Sequence, residues 1–279
     1  MIVTGVVDPR ILHRFPVSDS INGLTLLNNE LYVLYDRDDN QVDVYSTIDF
    51  NFLRHLSVDG LKKMYVTDIV SCSQKRCIYI SNNNRDESGI HRLGLDGSVC
   101  KWPLNNDPQS MAVTRSSNLL VVVSHAETDE DEDMVEHLLL LSGENGERLQ
   151  MIKLQLDVDF HVAHSLQLTD DLYVICYSSS DEHRKHRVSH VDADGRILRS
   201  TDRELGLRFP WHMSADSDKF LFVAEMINGR ILLFDPSLEF VFNVTEGIAV
   251  DPMCLHFDEF TRRLYVGESK EGGVVIVQL

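Results

Sequence analysis

One short apolar pattern, aromatic at its centre in five of its six copies, recurs along the chain. The copies are Leu31-Tyr32-Val33, Ile78-Tyr79-Ile80, Leu119-Leu120-Val121, Leu172-Tyr173-Val174, Leu221-Phe222-Val223 and Leu264-Tyr265-Val266, at intervals of 47, 41, 53, 49 and 43 residues. A fixed period of about 40 to 50 residues is the signature of a propeller blade of four strands. Another apolar strand precedes each copy, such as Gly23-Leu24-Thr25-Leu26-Leu27 or Met111-Ala112-Val113. A loop and a third strand follow each copy, such as Gln41-Val42-Asp43-Val44-Tyr45 or Arg230-Ile231-Leu232-Leu233-Phe234. Gly, Asn, Asp and Ser punctuate these runs, and little of the chain carries helical period. The expected fold is all-β: a six-bladed β-propeller of four-stranded antiparallel blades.

The ends of the chain set how such a ring closes. The last repeat stops at its third strand, Val274-Val275-Ile276-Val277-Gln278-Leu279, while Arg10-Ile11-Leu12-His13-Arg14-Phe15-Pro16 precedes the first repeat without a blade of its own. The N-terminal segment is therefore expected to supply the missing outer strand of the last blade, which removes an exposed sheet edge. No Pro/Gly/Ser-rich linker divides the chain, so 1–279 reads as one domain. Its blades are expected near 18–58, 64–103, 108–155, 161–201, 209–244 and 250–279, the last completed by strand 9–16.

Blade five carries a sharper motif: Pro210-Trp211-His212-Met213-Ser214, Phe222-Val223-Ala224-Glu225, Asn228-Gly229-Arg230-Ile231 and Phe234-Asp235. This resembles a complete NHL repeat, with Glu225 where that family usually has Asp. Blades two and four keep His91-Arg92-Leu93 and His186-Arg187-Val188 at the Asn-x-Arg-Ile place, and blade six has Gly272-Gly273 instead of the Arg. In general pattern the chain resembles the C-terminal propellers of tripartite-motif (TRIM-NHL) ubiquitin ligases. That resemblance implies recognition of a substrate or an RNA by the propeller, and a structural pairing of Glu225 with Arg230.

Composition narrows the remaining classes. No apolar run approaches the roughly 20 residues of a membrane helix, and residues 1–8 lack the basic and apolar regions of a signal peptide. A cytoplasmic location without a membrane partner is expected. Net charge of −18 weighs against a nucleic-acid partner, whose phosphates draw on Lys and Arg. The chain is expected to be a monomer or one part of a longer multidomain protein, with no cofactor. Five cysteines cannot pair completely; Cys72 and Cys77 flank a short turn and would face each other in a hairpin.

The charge is unevenly placed. Loops between second and third strands sum to −11 and the connections between blades to −6, so one face carries nearly all of it. The expected binding face carries Asp36, Asp38, Asp39, Glu127, Asp129, Glu130, Asp131, Trp211, His212 and Glu225, with Trp211 as an aromatic anchor if exposed. The leading expectation is thus a non-catalytic scaffold or substrate-recognition propeller that binds a basic protein. The alternative is a metal-dependent hydrolase, lactonase or lyase with its site at the mouth of the central channel. Asp68, His164 and His212 begin inner strands of blades two, four and five at matching places and would be its ligands. Metal-dependent lactonases and amidating lyases on six-bladed propellers use such a location. RNA binding is a lesser alternative.

Overall fold

The computed structural model describes residues 9–16, 19–35, 41–58, 66–84, 87–126, 134–156, 160–179, 186–269 and 273–279. They form six four-stranded antiparallel sheets. Blade one is Ile21–Leu27, Glu30–Tyr35, Gln41–Ser46 and Phe52–Ser57, from the inside outward. The next four blades repeat the same meander, beginning at Val66–Cys72, Asp107–Val113, Phe160–Thr169 and Pro210–Ala215. Each innermost strand touches the innermost strands of the two neighbouring blades, so the six close into a ring around a channel. Among the described residues the one helical element is a single 3-10 turn, Arg203–Leu205.

Hydrophobic burial explains the repeated pattern. Blades stack face to face, so the second strand of each is covered on both sides and reads as an unbroken apolar run instead of an alternating one. Leu31, Val33, Ile80, Val121, Val174, Val223 and Val266 are all fully buried. The core is accordingly six clusters, one between each pair of adjacent blades. Leu27, Tyr32 and Val44 of blade one meet Ile69, Ile78 and Ile80 of blade two, for example. Outermost strands bury far less, and Val99 and Leu198 stand more than half exposed.

The ring closes as the sequence implies. Arg10–Pro16 pairs antiparallel with Gly273–Gln278, from Arg10 opposite Gln278 to Pro16 opposite Gly273. Gly273 has a steric reason here, because a Cβ would strike the Phe15 carbonyl. Leu12 and Phe15 pack against the cluster between blades six and one. The guanidinium that blade six lacks in its own third strand comes from this closing strand. Arg14 stands 3.5 Å from the buried Glu268, at the place where Arg230 meets Glu225 in blade five.

Cys72 and Cys77 are register partners at the end of the blade-two hairpin, both buried and both free thiols.

Deleting residues 1–16 leaves the third strand of blade six as an open edge and strips Leu12 and Phe15 from the last cluster. With about 1.5–3 kcal/mol per large apolar side chain, plus the lost ladder, the melting temperature should fall by about 10 °C or more. Scanning calorimetry with light scattering checks this, and an unchanged melting temperature would refute the closure argument.

Candidate functional site

The inner strands share one irregularity. Each shifts register at the same place, between Ile21 and Gly23, Val66 and Asp68, Pro108 and Ser110, Val162 and His164, Pro210 and His212, and Pro252 and Cys254. A β-bulge bends the strand and re-aims the next side chain. Repeated six times, it produces a ring of equivalent residues about the channel: Gly23, Asp68, Ser110, His164, His212 and Cys254.

Three members of this ring converge. Ligand-capable atoms of Asp68, His164 and His212 all lie within 4.8 Å of one another. Glycine in blade one makes room for this, since a Cβ at Gly23 would come 3.0 Å from Asp68 Oδ1 and 2.9 Å from the Ile69 nitrogen. The Asp68 carboxylate accepts from the Ile69 N–H and from the Met111 N–H of the next blade, each at 2.8 Å. Those bonds favour the charged form, yet burial outweighs them and raises its pKa to about 7. No cationic side chain balances it. His164 is equally buried, and burial lowers its pKa to about 3 against a weaker hydrogen bond to the Met111 backbone. Its Nδ1 is buried without a hydrogen-bond partner.

The His212 ring lies against that of His164, tilted by 37° with centroids 3.9 Å apart. Burial holds it neutral first, and the neighbouring His164 and His256 add to the effect. His256 is also lowered by burial, to about 4. Neutral imidazole is the ligating form of histidine. One carboxylate with two imidazoles suits zinc or another first-row transition ion better than a hard cation such as calcium. Bonds of about 2.1 Å require the widest ligand pair to close by roughly 1 Å. His212 must also release the Leu255 N–H that its Nδ1 accepts at 3.3 Å if it ligates through the other nitrogen. Ser110 Oγ, in the ring position between Asp68 and His164, is a second buried polar atom without a partner. An orphaned nitrogen and an orphaned hydroxyl beside an unbalanced carboxylate fit a ring built around a bound group.

Below the ring the channel widens into a cavity of about 290 Å3. His164 and His212 stand at one end. Arg115, Asp216 and Lys219 stand at the other, in the turns joining first and second strands of blades three and five. In an antiparallel meander those turns lie at the opposite ends of the second strands from the bulged ring.

The expected binding-face residues separate into three groups. Asp36, Asp38, Asp39, Glu127, Asp129, Glu130 and Asp131 lie outside the described residues. Glu225 is fully buried: it binds Arg230, accepts from Asn228 Nδ2 at 2.6 Å and caps the Arg208 N–H at 2.5 Å. With its oxygens spent inside the loop, Glu225 is corrected from a surface contact to an internal fastening. Trp211 is half-buried, packs on the core between blades four and five, and lies 6.5 Å from the His161 ring. His212 lines the channel.

Sequence reasoning missed Ser110, His256 and the pairing of His161 Nδ1 with buried Glu136 at 3.0 Å. The last is no signal by itself, because His55 and Asp43 make the same contact between outer strands of blade one. Proline two residues ahead of Ser110, His212 and Cys254 was the legible cue to the bulges.

No protein-family model matches the chain, and no curated protein matches it in sequence. Solved structures do share its architecture. Virginiamycin B lyase from Staphylococcus aureus aligns with a TM-score of 0.61 at 10% identity, covering 98% of this chain and 88% of that one. A catalytically inactive variant of that lyase with quinupristin gives a TM-score of 0.65 at 10% identity over 98% of this chain and all of the other. Hydrazine synthase from Kuenenia stuttgartiensis gives 0.67 at 9% identity, over 93% and 83%. Identity this low shows the fold alone: a six-bladed β-propeller. The neighbours are enzyme propellers and not those of tripartite-motif ligases. They correct the expectation of a non-catalytic interaction module, and the alternative reading of a channel enzyme agrees with them better.

The buried histidines also set a pH dependence. The unfolded chain protonates this imidazole below about 6.5, whereas folded His164 stays neutral to about 3, so its contribution to stability is lost as pH falls from 6.5. Asp68 acts oppositely, costing stability as pH rises from about 4 to 7. His164→Gln, in chelator, should therefore lose about 2 kcal/mol less unfolding free energy than the parent between pH 7 and 5. Urea denaturation at both values checks this, and equal losses would refute it.

Proposed function

We propose that this propeller is a metal-dependent lyase or hydrolase whose reaction takes place at the inner end of the channel cavity. The observation that carries it is the convergence of Asp68, His164 and His212 within 4.8 Å, the two histidines lining a cavity of about 290 Å3. The enzymes among the structural neighbours support a catalytic over a scaffolding role, lyases included. Blade five's NHL-like motif is read as structural, since Glu225 serves its own loop.

A divalent ion held by three protein ligands keeps open positions, through which it polarises a substrate carbonyl or activates water. The chain's own residues do the rest. Asp68 supplies a desolvated negative charge that favours a cation over bulk solvent. Met111 fixes two ligands at once, its N–H on Asp68 and its backbone bonded to His164, in the manner of outer-shell partners that set ring orientation. Ile69, Met111 and Leu255 wall the adjoining cavity and limit water there. Ser110 Oγ, free of other bonds, is placed to donate to or accept from a bound oxygen.

Zinc titration of chelator-stripped protein by calorimetry should show one site, weakened at least about 100-fold in Asp68→Ala and His164→Ala. The loaded protein should open a panel of lactones, and both variants should lose turnover. Zinc binding unaffected by either substitution, or no zinc binding at all, would overturn the reading.

A further inference from the structure

The far end of the cavity differs in chemistry from the ligand end. Arg115 leaves the blade-three turn and donates through a terminal nitrogen to the Ser217 carbonyl of the blade-five turn, at 3.2 Å. Blade four lies between those two blades, so the guanidinium passes across the channel mouth in front of it. Four of its five N–H donors remain for other acceptors. Lys219, in the same blade-five turn, adds a second cation to the lining. Asp216 is the acidic group in the lining, and its Oδ1 is already turned onto the Phe220 N–H at 2.8 Å. Burial raises its pKa, Asp218 and Glu259 stand close enough to add to the rise, and Glu259 is engaged by the Ser217 hydroxyl. The wall between the two ends is mixed, with Val70, Ala112 and Leu166 beside Thr25, Ser71 and Ser214. From His212 to Asp216 is four strand residues, about 13 Å.

From this polarity we infer that the substrate is an elongated organic anion. Its carboxylate is held at the mouth by Arg115 and Lys219, a body of roughly 10 Å fills the channel, and its reacting end reaches the Asp68–His164–His212 ring. The inference rests on the channel-enzyme reading for its reacting end, but the anion subsite stands on its own residues. A planar guanidinium matches a carboxylate bidentately and is costly to leave facing an uncharged isostere. The cavity volume sits at the low end of small-molecule sites, which excludes a protein side face as its occupant.

Calorimetry with 4-phenylbutyrate and its uncharged isostere 4-phenylbutyramide tests the subsite directly, on full-length protein stripped of metal. The acid should bind at least about tenfold more tightly than the amide. Arg115→Gln combined with Lys219→Gln should abolish that preference with the melting temperature unchanged, because both side chains lie at the surface end of the cavity. His164→Ala should leave it intact. Equal binding of acid and amide, binding of neither, or a preference that survives the double substitution would overturn the inference. A preference that appears only after zinc loading would also overturn it, since the carboxylate would then be bound at the ligand ring. Failure of zinc binding with the anion preference intact would instead sink the metal reading and spare the subsite.

Discussion

Everything at the centre of this molecule depends on the ring of inner strands being closed. Each inner strand packs against two others, and the sixth does so in register only because Arg10–Pro16 completes its blade. Closure converts six separate sheets into one frame with no free edge at the junction. It also brings residues from three different blades onto one axis. Asp68, His164 and His212 have no local reason to meet; six repeats of one bulge bring them together.

That meeting works against stability. A buried carboxylate and a buried imidazole meet a second, half-buried imidazole beside a largely apolar core, and among the described residues no cation offsets the carboxylate. The pKa of Asp68 rises and those of His164 and His212 fall because burial penalises every charged form. Strained and uncompensated polar groups concentrate at functional sites. Two of the buried atoms without a hydrogen-bond partner, His164 Nδ1 and Ser110 Oγ, lie in the same ring as Asp68, whereas the buried Glu225 and Glu268 at the ends of second strands each have an arginine. The contrast separates fastening from function. Loop carboxylates are paired, and the channel carboxylate is not.

The fold was legible because it is repetitive: the apolar second strands, buried on both faces, mark each blade. The ring positions were legible for the same reason, since aligning the repeats put Asp68, His164 and His212 at matching places. What the sequence hid was three-dimensional. Strand alternation without a bulge misjudges where those side chains point. Nothing in the strand Gly23-Leu24-Thr25-Leu26-Leu27 tells that its glycine makes space for Asp68. Arg14 lies 254 residues from the Glu268 it serves, so blade six looked defective when it was completed from the other end. Acidic loops dominated the charge pattern and drew attention to themselves, although the cavity at the ring reaches toward the turns joining first and second strands.

Anomalous diffraction from crystals of the zinc-loaded protein, collected on both sides of the zinc edge, tests the central claim most directly. The account requires one peak on the propeller axis, within about 2.3 Å of an Asp68 oxygen and of one nitrogen each from His164 and His212. A peak elsewhere, or an axis empty of zinc at saturating concentration, would contradict it.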